Sequence, residues 1–141
     1  MKEYNLERFV TAQKESYNIA LNEIRSGEKR THWIWYIFPQ LRGLGKTTRS
    51  YTYGIEDIDE AKSYLAHPVL GSRLIEITQA LLTLTDCNAY HVMGADDVKL
   101  KSCMTLFAQV SEKDSVFHKV LEKFFNGEQD NKTLSMIKTR S

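Results

Sequence analysis

The segment "THWIWYIFPQLRGLGKTT", residues 31–48, combines aromatic side chains, glycines and cations, as a nucleotide-binding loop would. Its end, Gly45-Lys46-Thr47, matches the end of a phosphate-binding loop, in which backbone amides and a lysine hold phosphate. That loop also needs a glycine at position 40, where this chain has Gln40. The sequence after it lacks the apolar helix whose N-terminus would face the phosphate. The pattern therefore excludes a nucleotide-triphosphate loop of this class.

Several single residues are still candidates for a ligand pocket. Trp33 and Trp35 either belong to the core or stack a base whose phosphates lie beside the cationic loop. His32 precedes them and is a pocket candidate. Gln13 lies on the apolar face of a predicted helix, where it is either hydrogen-bonded internally or lines a cleft. Lys99 lies in a first helical turn, where the helix dipole disfavours a cation, so it either belongs to a solvated turn or serves a ligand.

Metal, redox and acyl-transfer chemistry find no support in the spacing of the reactive side chains. The four histidines show no paired spacing, and the two cysteines are far apart in sequence. No serine or cysteine lies in a nucleophile-elbow motif. We therefore predict no metal site and no cofactor.

The composition is that of one ordinary domain. The chain has 141 residues, 42% of them hydrophobic and 26% charged, with a net charge of +1. Such a balanced charge argues against bulk nucleic-acid binding, which depends on neutralising phosphates. No apolar run approaches the length of a signal peptide core or a membrane span, and the cysteines form no disulfide framework. We predict a cytoplasmic protein without membrane contact, and the sequence leaves its oligomeric state open.

Apolar spacing of the helical kind recurs along most of the chain. It predicts an all-α fold, a single compact domain over residues 1–141 with five to six helices. Residues 40–54 carry three glycines and no apolar period, which predicts one long Gly-rich loop, and "HWIWYIF" before it is too short to classify. The predicted helices cover residues 5–24, 57–65, 68–84, 96–110, 115–125 and 130–137.

Five blocks of sequence resemble a known family. They are "LERFVTAQ", "HWIWYIFPQLRGLG", "EAKSYLAHPVLGSRLIE", "GADDVKLKSCMTLF" and "FFNGEQDNKT", and they are similar to the bacterial domain-of-unknown-function family 1810 over nearly the whole chain. The resemblance implies a small α-helical cytosolic protein without an established activity.

A more distant resemblance points to a chemistry. "ERFVTAQK", residues 7–14, is similar to the Glu-x-aromatic-apolar-x-Ala-x-Lys motif of the NADAR (NAD and ADP-ribose) or YbiA-like superfamily. "DDVKLKSCMTLFAQ" resembles that superfamily's W-x-x-V-K-x-x-x-M helix. This chain departs from the pattern at Arg8, where the superfamily has a histidine, and at Asp96 or Asp97, where it has a tryptophan.

The second resemblance implies cleavage of an N-glycosidic bond in a nucleotide-sugar or ADP-ribose conjugate. Glu7 would stabilise the oxocarbenium-like centre, with Asp130 as a second carboxylate. The other explanation of Glu7 is a favourable acid in a helix's first turn. The candidate ligand-binding residues are Gln13, His32, Trp33, Trp35, Gln40, Arg42, Lys46 and Lys99. The alternatives are a non-catalytic nucleotide or ADP-ribose binding module and a protein-interaction domain that docks through the Trp-rich loop.

Overall fold

The computed structural model describes residues 4–140, and most of that range is helical. The nine α-helices of this range are α1 (Glu7–Ser26), α2 (Ile34–Ile37), α3 (Thr48–Thr52), α4 (Ile58–Ala66), α5 (Leu70–Leu82), α6 (Ala89–Met93), α7 (Asp97–Ala108), α8 (Val116–Phe125) and α9 (Asn131–Arg140). A 3-10 turn, Gly94–Asp96, joins α6 to α7. Six of these helices have nine or more residues. The all-α prediction is confirmed.

Side chains at the helix ends explain where several of the long helices begin and stop. Asp57, Ser115 and Asp130 each accept a hydrogen bond from the backbone N–H three residues further on, which satisfies a donor of the first turn. Gly27 ends α1 in a left-handed conformation with φ 88°. α1 differs from the prediction at its start, since it begins after Leu6 and has no side-chain cap.

The Trp-rich segment and the loop after it contain two short helices that the sequence did not predict. "HWIWYIF" holds α2, and the predicted loop over residues 40–54 holds α3. A capping box starts α3, because the Thr47 hydroxyl accepts from the Ser50 N–H and the Ser50 hydroxyl accepts from the Thr47 N–H. A single parallel bridge between Leu41 and Ile55 joins the two ends of the loop that carries α3.

α7 is the central helix of the described fold. It packs against α4, α6, α8 and α9, and every residue from Ser102 to Ala108 is buried. A helix buried on all sides needs apolar or internally bonded side chains all round, which explains its weak amphipathic pattern. Its first turn, which carries Lys99, is partly exposed. The core therefore holds α7 in place and leaves its N-terminal end accessible.

Helices α4 and α5 approach each other closely at Gly71. A Cβ atom added at this glycine would lie 2.0 Å from the backbone oxygen of Leu65, so only glycine fits.

No helix within residues 4–140 is long and apolar enough to cross a membrane.

Candidate functional site

A depression with a volume of about 240 Å³ lies between the Gly-rich loop and the first turns of α7 and α9. We call it the Lys99 pocket. Its lining residues are Gln40, Leu44, Gly45, Val98, Lys99, Ser102, Asp130 and Lys132. Three residues predicted from the sequence, Gln40, Lys99 and Asp130, are thus brought together from three distant parts of the chain.

One carboxylate oxygen of Asp130 accepts hydrogen bonds from Thr133, and the other accepts none within residues 4–140. Its Oδ2 accepts hydrogen bonds from the backbone N–H of Thr133 at 2.9 Å and from the Thr133 hydroxyl at 2.5 Å. Its own N–H donates to Thr105 Oγ1 of α7 at 2.9 Å. Within residues 4–140, Oδ1 has no hydrogen-bond partner. The cap therefore fixes the carboxylate and leaves Oδ1 available to a ligand.

The cationic groups of the pocket come from Lys99 and Lys132. Lys99 Nζ lies 3.1 Å from Asp96 Oδ1, with its side chain 30% exposed. Lys132 is exposed and makes no ion pair with another residue of the described range. Gln40 is half-buried, and its side-chain carboxamide has no hydrogen-bond partner within residues 4–140. Several donors at this site are therefore unused.

Lys29, whose side chain is largely buried, holds the Asp96 carboxylate that contacts Lys99. Asp96 Oδ2 lies 2.9 Å from Nζ of Lys29, whose side chain is only 7% exposed. Lys29 also donates to the backbone oxygen of Thr31 at 2.7 Å and lies 5.0 Å above the Trp33 ring. Burial raises the pKa of Asp96, but hydrogen bonds and charge from Lys29 and Lys99 outweigh it and lower that pKa overall. Asp96 therefore stays ionised between the two lysines.

Trp33 belongs to the core. Its side chain is 1% exposed, and its Nε1 donates to Glu23 Oε1 at 3.0 Å. Glu23 also accepts from the N–H groups of Arg30 and Thr31 and from the Thr31 hydroxyl. Burial raises the pKa of Glu23, but these hydrogen bonds together lower it to about 2. Of the two explanations left open for Trp33, the core explanation fits this geometry.

The other polar and aromatic candidates occupy different surroundings. Gln13 is buried, and its Nε2 donates to the Tyr36 backbone oxygen at 2.8 Å and to the Tyr64 hydroxyl at 3.0 Å, which is the internally bonded alternative. Trp35 is half-buried, and the guanidinium carbon of Arg49 lies 5.1 Å from the centre of the Trp35 ring. These two side chains do not line the Lys99 pocket.

His32 and Lys46 are both exposed, and they do not line the Lys99 pocket. Arg42 lines a separate cleft of about 390 Å³ with Glu56, Asp57 and Arg140. Its Nε donates to the Tyr51 backbone oxygen at 2.9 Å. The loop that carries the basic candidates therefore directs them to different surfaces.

The two predicted carboxylates lie apart. Glu7 is exposed on the first turn of α1 and is not among the residues that line the Lys99 pocket with Asp130. No cluster of three His, Cys, Asp or Glu side chains within residues 4–140 is arranged to hold a metal ion.

Lys132 and Ser102 were not identified from the sequence. Lys132 follows Asp130, the first residue of the last predicted helix, by two residues, so a cation in that first turn was a usable signal. Ser102 donates to the Val98 backbone oxygen at 3.0 Å, as a serine within a helix commonly does, and gives no such signal.

Comparison with known proteins gives one family and one solved structure. The family model described as "Protein of unknown function (DUF1810)" matches residues 3–137. The crystal structure of the conserved hypothetical protein Rv1873 from Mycobacterium tuberculosis at 1.38 Å is similar, with 40% sequence identity and a TM-score of 0.93. The alignment covers 96% of this chain and 97% of that chain. No curated protein matches.

Proposed function

This chain belongs to the DUF1810 family of proteins of unknown function, and for this member we propose that the Lys99 pocket binds a phosphorylated sugar. The ligand class is a ribose phosphate, free or as part of a nucleotide or ADP-ribose conjugate. The observation that carries the proposal is the convergence of Lys99, Lys132, Gln40 and Asp130 on one depression, with unused hydrogen-bonding groups on each.

The phosphate is assigned to the cationic side of the pocket. The ammonium groups of Lys99 and Lys132 supply positive charge, and charge-assisted hydrogen bonds are about twice as strong as neutral ones. Lys132 also lies in the first turn of α9, where backbone N–H groups without helical partners favour an anion. The Lys29–Asp96 ion pair reduces the freedom that Lys99 must lose on binding.

The sugar is assigned to the uncharged and acidic side. Asp130 Oδ1 accepts a hydroxyl hydrogen, while the Gln40 carboxamide can both donate and accept. Leu44 and Val98 supply apolar contact at the edge. The volume of about 240 Å³ is below the range of about 300–1,000 Å³ usual for drug-sized ligands, so the rest of a larger nucleotide would extend beyond the pocket.

The free Asp130 oxygen also supports a catalytic extension of this proposal, hydrolysis of an N-glycosidic bond. The carboxylate would stabilise positive charge at the anomeric carbon and orient a water molecule. The carbon–nitrogen bond breaks, the water oxygen bonds to that carbon, and the water proton leaves with the nitrogen base. We place this activity in the cytoplasm, since Cys87 and Cys103 are both free thiols.

We expect Lys99→Gln to weaken binding of ribose 5-phosphate and ADP-ribose by about tenfold or more, the loss of one charge-assisted hydrogen bond. Isothermal titration calorimetry measures the dissociation constants. Lys46→Gln is the matched control, because Lys46 is an exposed lysine of the neighbouring loop outside the pocket. Equal affinities for the two variants, or no binding by the unmodified protein, would contradict the proposal.

Asp130→Asn tests the catalytic extension. Asparagine caps helices as well as aspartate does, so the fold should persist and ligand affinity should change only a few-fold. Turnover of a ribosyl-amine conjugate, followed by chromatography of the released base, should fall by about a hundredfold or more. Glu7→Gln should leave turnover unchanged. Binding without turnover by the unmodified protein would refute hydrolysis and leave the binding function standing.

A further inference from the structure

Lys29, in the connection between α1 and α2, does not line the Lys99 pocket and reaches it only through Asp96. We propose that Lys29 gives the pocket the net positive charge with which it binds a phosphate group. This role rests on the proposed function, because it concerns the phosphate side of the same pocket. Lys29 is then a positioning residue, which acts on the ligand through Asp96 and Lys99 without touching it.

Two ammonium groups share one carboxylate at the start of α7. Nζ of Lys29 lies 2.9 Å from Asp96 Oδ2, and Nζ of Lys99 lies 3.1 Å from Asp96 Oδ1. These three side chains together carry one positive charge. The other two charged residues of the pocket, Lys132 and Asp130, cancel each other. Without Lys29, Asp96 would cancel Lys99 as well, and the pocket would offer an anion no net attraction.

Asp96 is close enough to the ligand for its charge to matter. A phosphate oxygen that accepts from Lys99 Nζ at about 2.8 Å would lie within about 6 Å of Asp96 Oδ1. Salt screens this repulsion only in part, because the Debye length is about 8 Å at physiological ionic strength. The cation that Lys29 places on the other oxygen of the same carboxylate offsets the repulsion.

The surroundings of Lys29 keep its charge in this place. Its side chain is only 7% exposed, and lysines are almost never buried unless they are paired. Its Nζ also donates to the Thr31 backbone oxygen at 2.7 Å and lies 5.0 Å from the centre of the Trp33 ring. Its backbone N–H donates to the Val92 oxygen at 2.7 Å. Lys29 is therefore a fixed counter-charge, unlike a surface lysine that moves freely in solvent.

Removal of the Lys29 charge tests the proposal. We expect Lys29→Met to weaken binding of ribose 5-phosphate by about tenfold in isothermal titration calorimetry, as expected for an uncompensated like charge near the ligand. Methionine is unbranched and flexible, so it can fill the place of the lysine stem. Circular dichroism verifies folding, and Lys29→Gln is a second neutral variant that keeps a hydrogen-bond donor.

Arg30→Met is the matched control. It removes one positive charge from the adjacent position, but the Arg30 side chain is 63% exposed and lies 3.5 Å from Glu28, not Asp96. Its affinity for ribose 5-phosphate should equal that of the unmodified protein. Equal weakening by Arg30→Met and Lys29→Met would overturn the proposal, because general charge would then explain the effect.

A second substitution at Asp96 separates charge from structure. Lys29→Met combined with Asp96→Asn restores one net positive charge, so its affinity should return to within a few-fold of the unmodified protein. The Asp96 side chain makes no cap hydrogen bond to α7, so the helix does not depend on its carboxylate. If Lys29 served only to hold the fold together, the double variant would bind no better than Lys29→Met.

The same titrations distinguish this proposal from the proposed function. If the unmodified protein binds ribose 5-phosphate and Lys29→Met binds it equally well, the role of Lys29 is refuted and the binding function stands. If the unmodified protein does not bind ribose 5-phosphate, both are refuted.

Discussion

We expect Gly71→Ala to lower the free energy of unfolding by about 3 kcal/mol, at the upper end of overpacking effects. The new methyl group would lie 2.0 Å from the Leu65 backbone oxygen and 2.9 Å from its carbonyl carbon. Backbone atoms cannot rotate away as a side chain can, so α4 and α5 would have to separate. Elsewhere in a helix the same change would stabilise by about 1 kcal/mol, which makes the expected sign diagnostic.

Urea unfolding followed by circular dichroism measures this effect. Ser72→Ala is the control on the same turn, since Ser72 is exposed and its hydroxyl donates only to the Pro68 backbone oxygen. If Gly71→Ala unfolds at the same urea concentration as Ser72→Ala, the close approach of α4 and α5 is wrong.

The second large effect concerns Glu23 and depends on pH. Its pKa is lowered from an ordinary 4.5 to about 2, so the folded state favours the carboxylate. The associated stability is fully present above pH 4.5 and is lost as the pH falls through about 2. A shift of this size corresponds to about 3 kcal/mol. We therefore expect Glu23→Gln to be destabilised by about that amount at neutral pH, with the difference shrinking towards pH 2.

Denaturant unfolding of both proteins over a series of pH values tests this prediction. Glu28→Gln is the matched control, because Glu28 lies just beyond α1 and its side chain is 62% exposed. Its stability profile should run parallel to that of the unmodified protein. A parallel profile for Glu23→Gln as well would mean that the buried hydrogen bonds do not select the carboxylate.

The long helices could be predicted from the sequence because their periodicity and their caps agree. Asp57, Ser115 and Asp130 stand immediately before apolar helical patterns and do cap them. The short helix α3 could not be predicted, because its capping box uses Ser50 where glutamate or glutamine is usual and no apolar stripe follows. α2 has four residues, too few for any period to show.

Three residues of the candidate site, Gln40, Lys99 and Asp130, were predictable singly, but their arrangement was not. Lys99 was identifiable from its position in a first turn and Asp130 from the more distant resemblance, yet their proximity depends on how α9 packs against α7. The burial of Trp33 rests on a hydrogen bond to Glu23, a residue that looks like an ordinary helix glutamate in the sequence. Such pairings between distant polar groups leave no periodic trace.

The two tryptophans give this protein two separate optical reporters. Trp33 is enclosed by the core beside Glu23, so its emission should be blue-shifted and poorly reached by iodide. Trp35 is half-buried beneath Arg49 near the start of α3, so its emission should respond to ligands and movements of the Gly-rich loop. With Trp35 replaced by phenylalanine, fluorescence would follow the melting of the core alone. With Trp33 replaced instead, it would follow the loop.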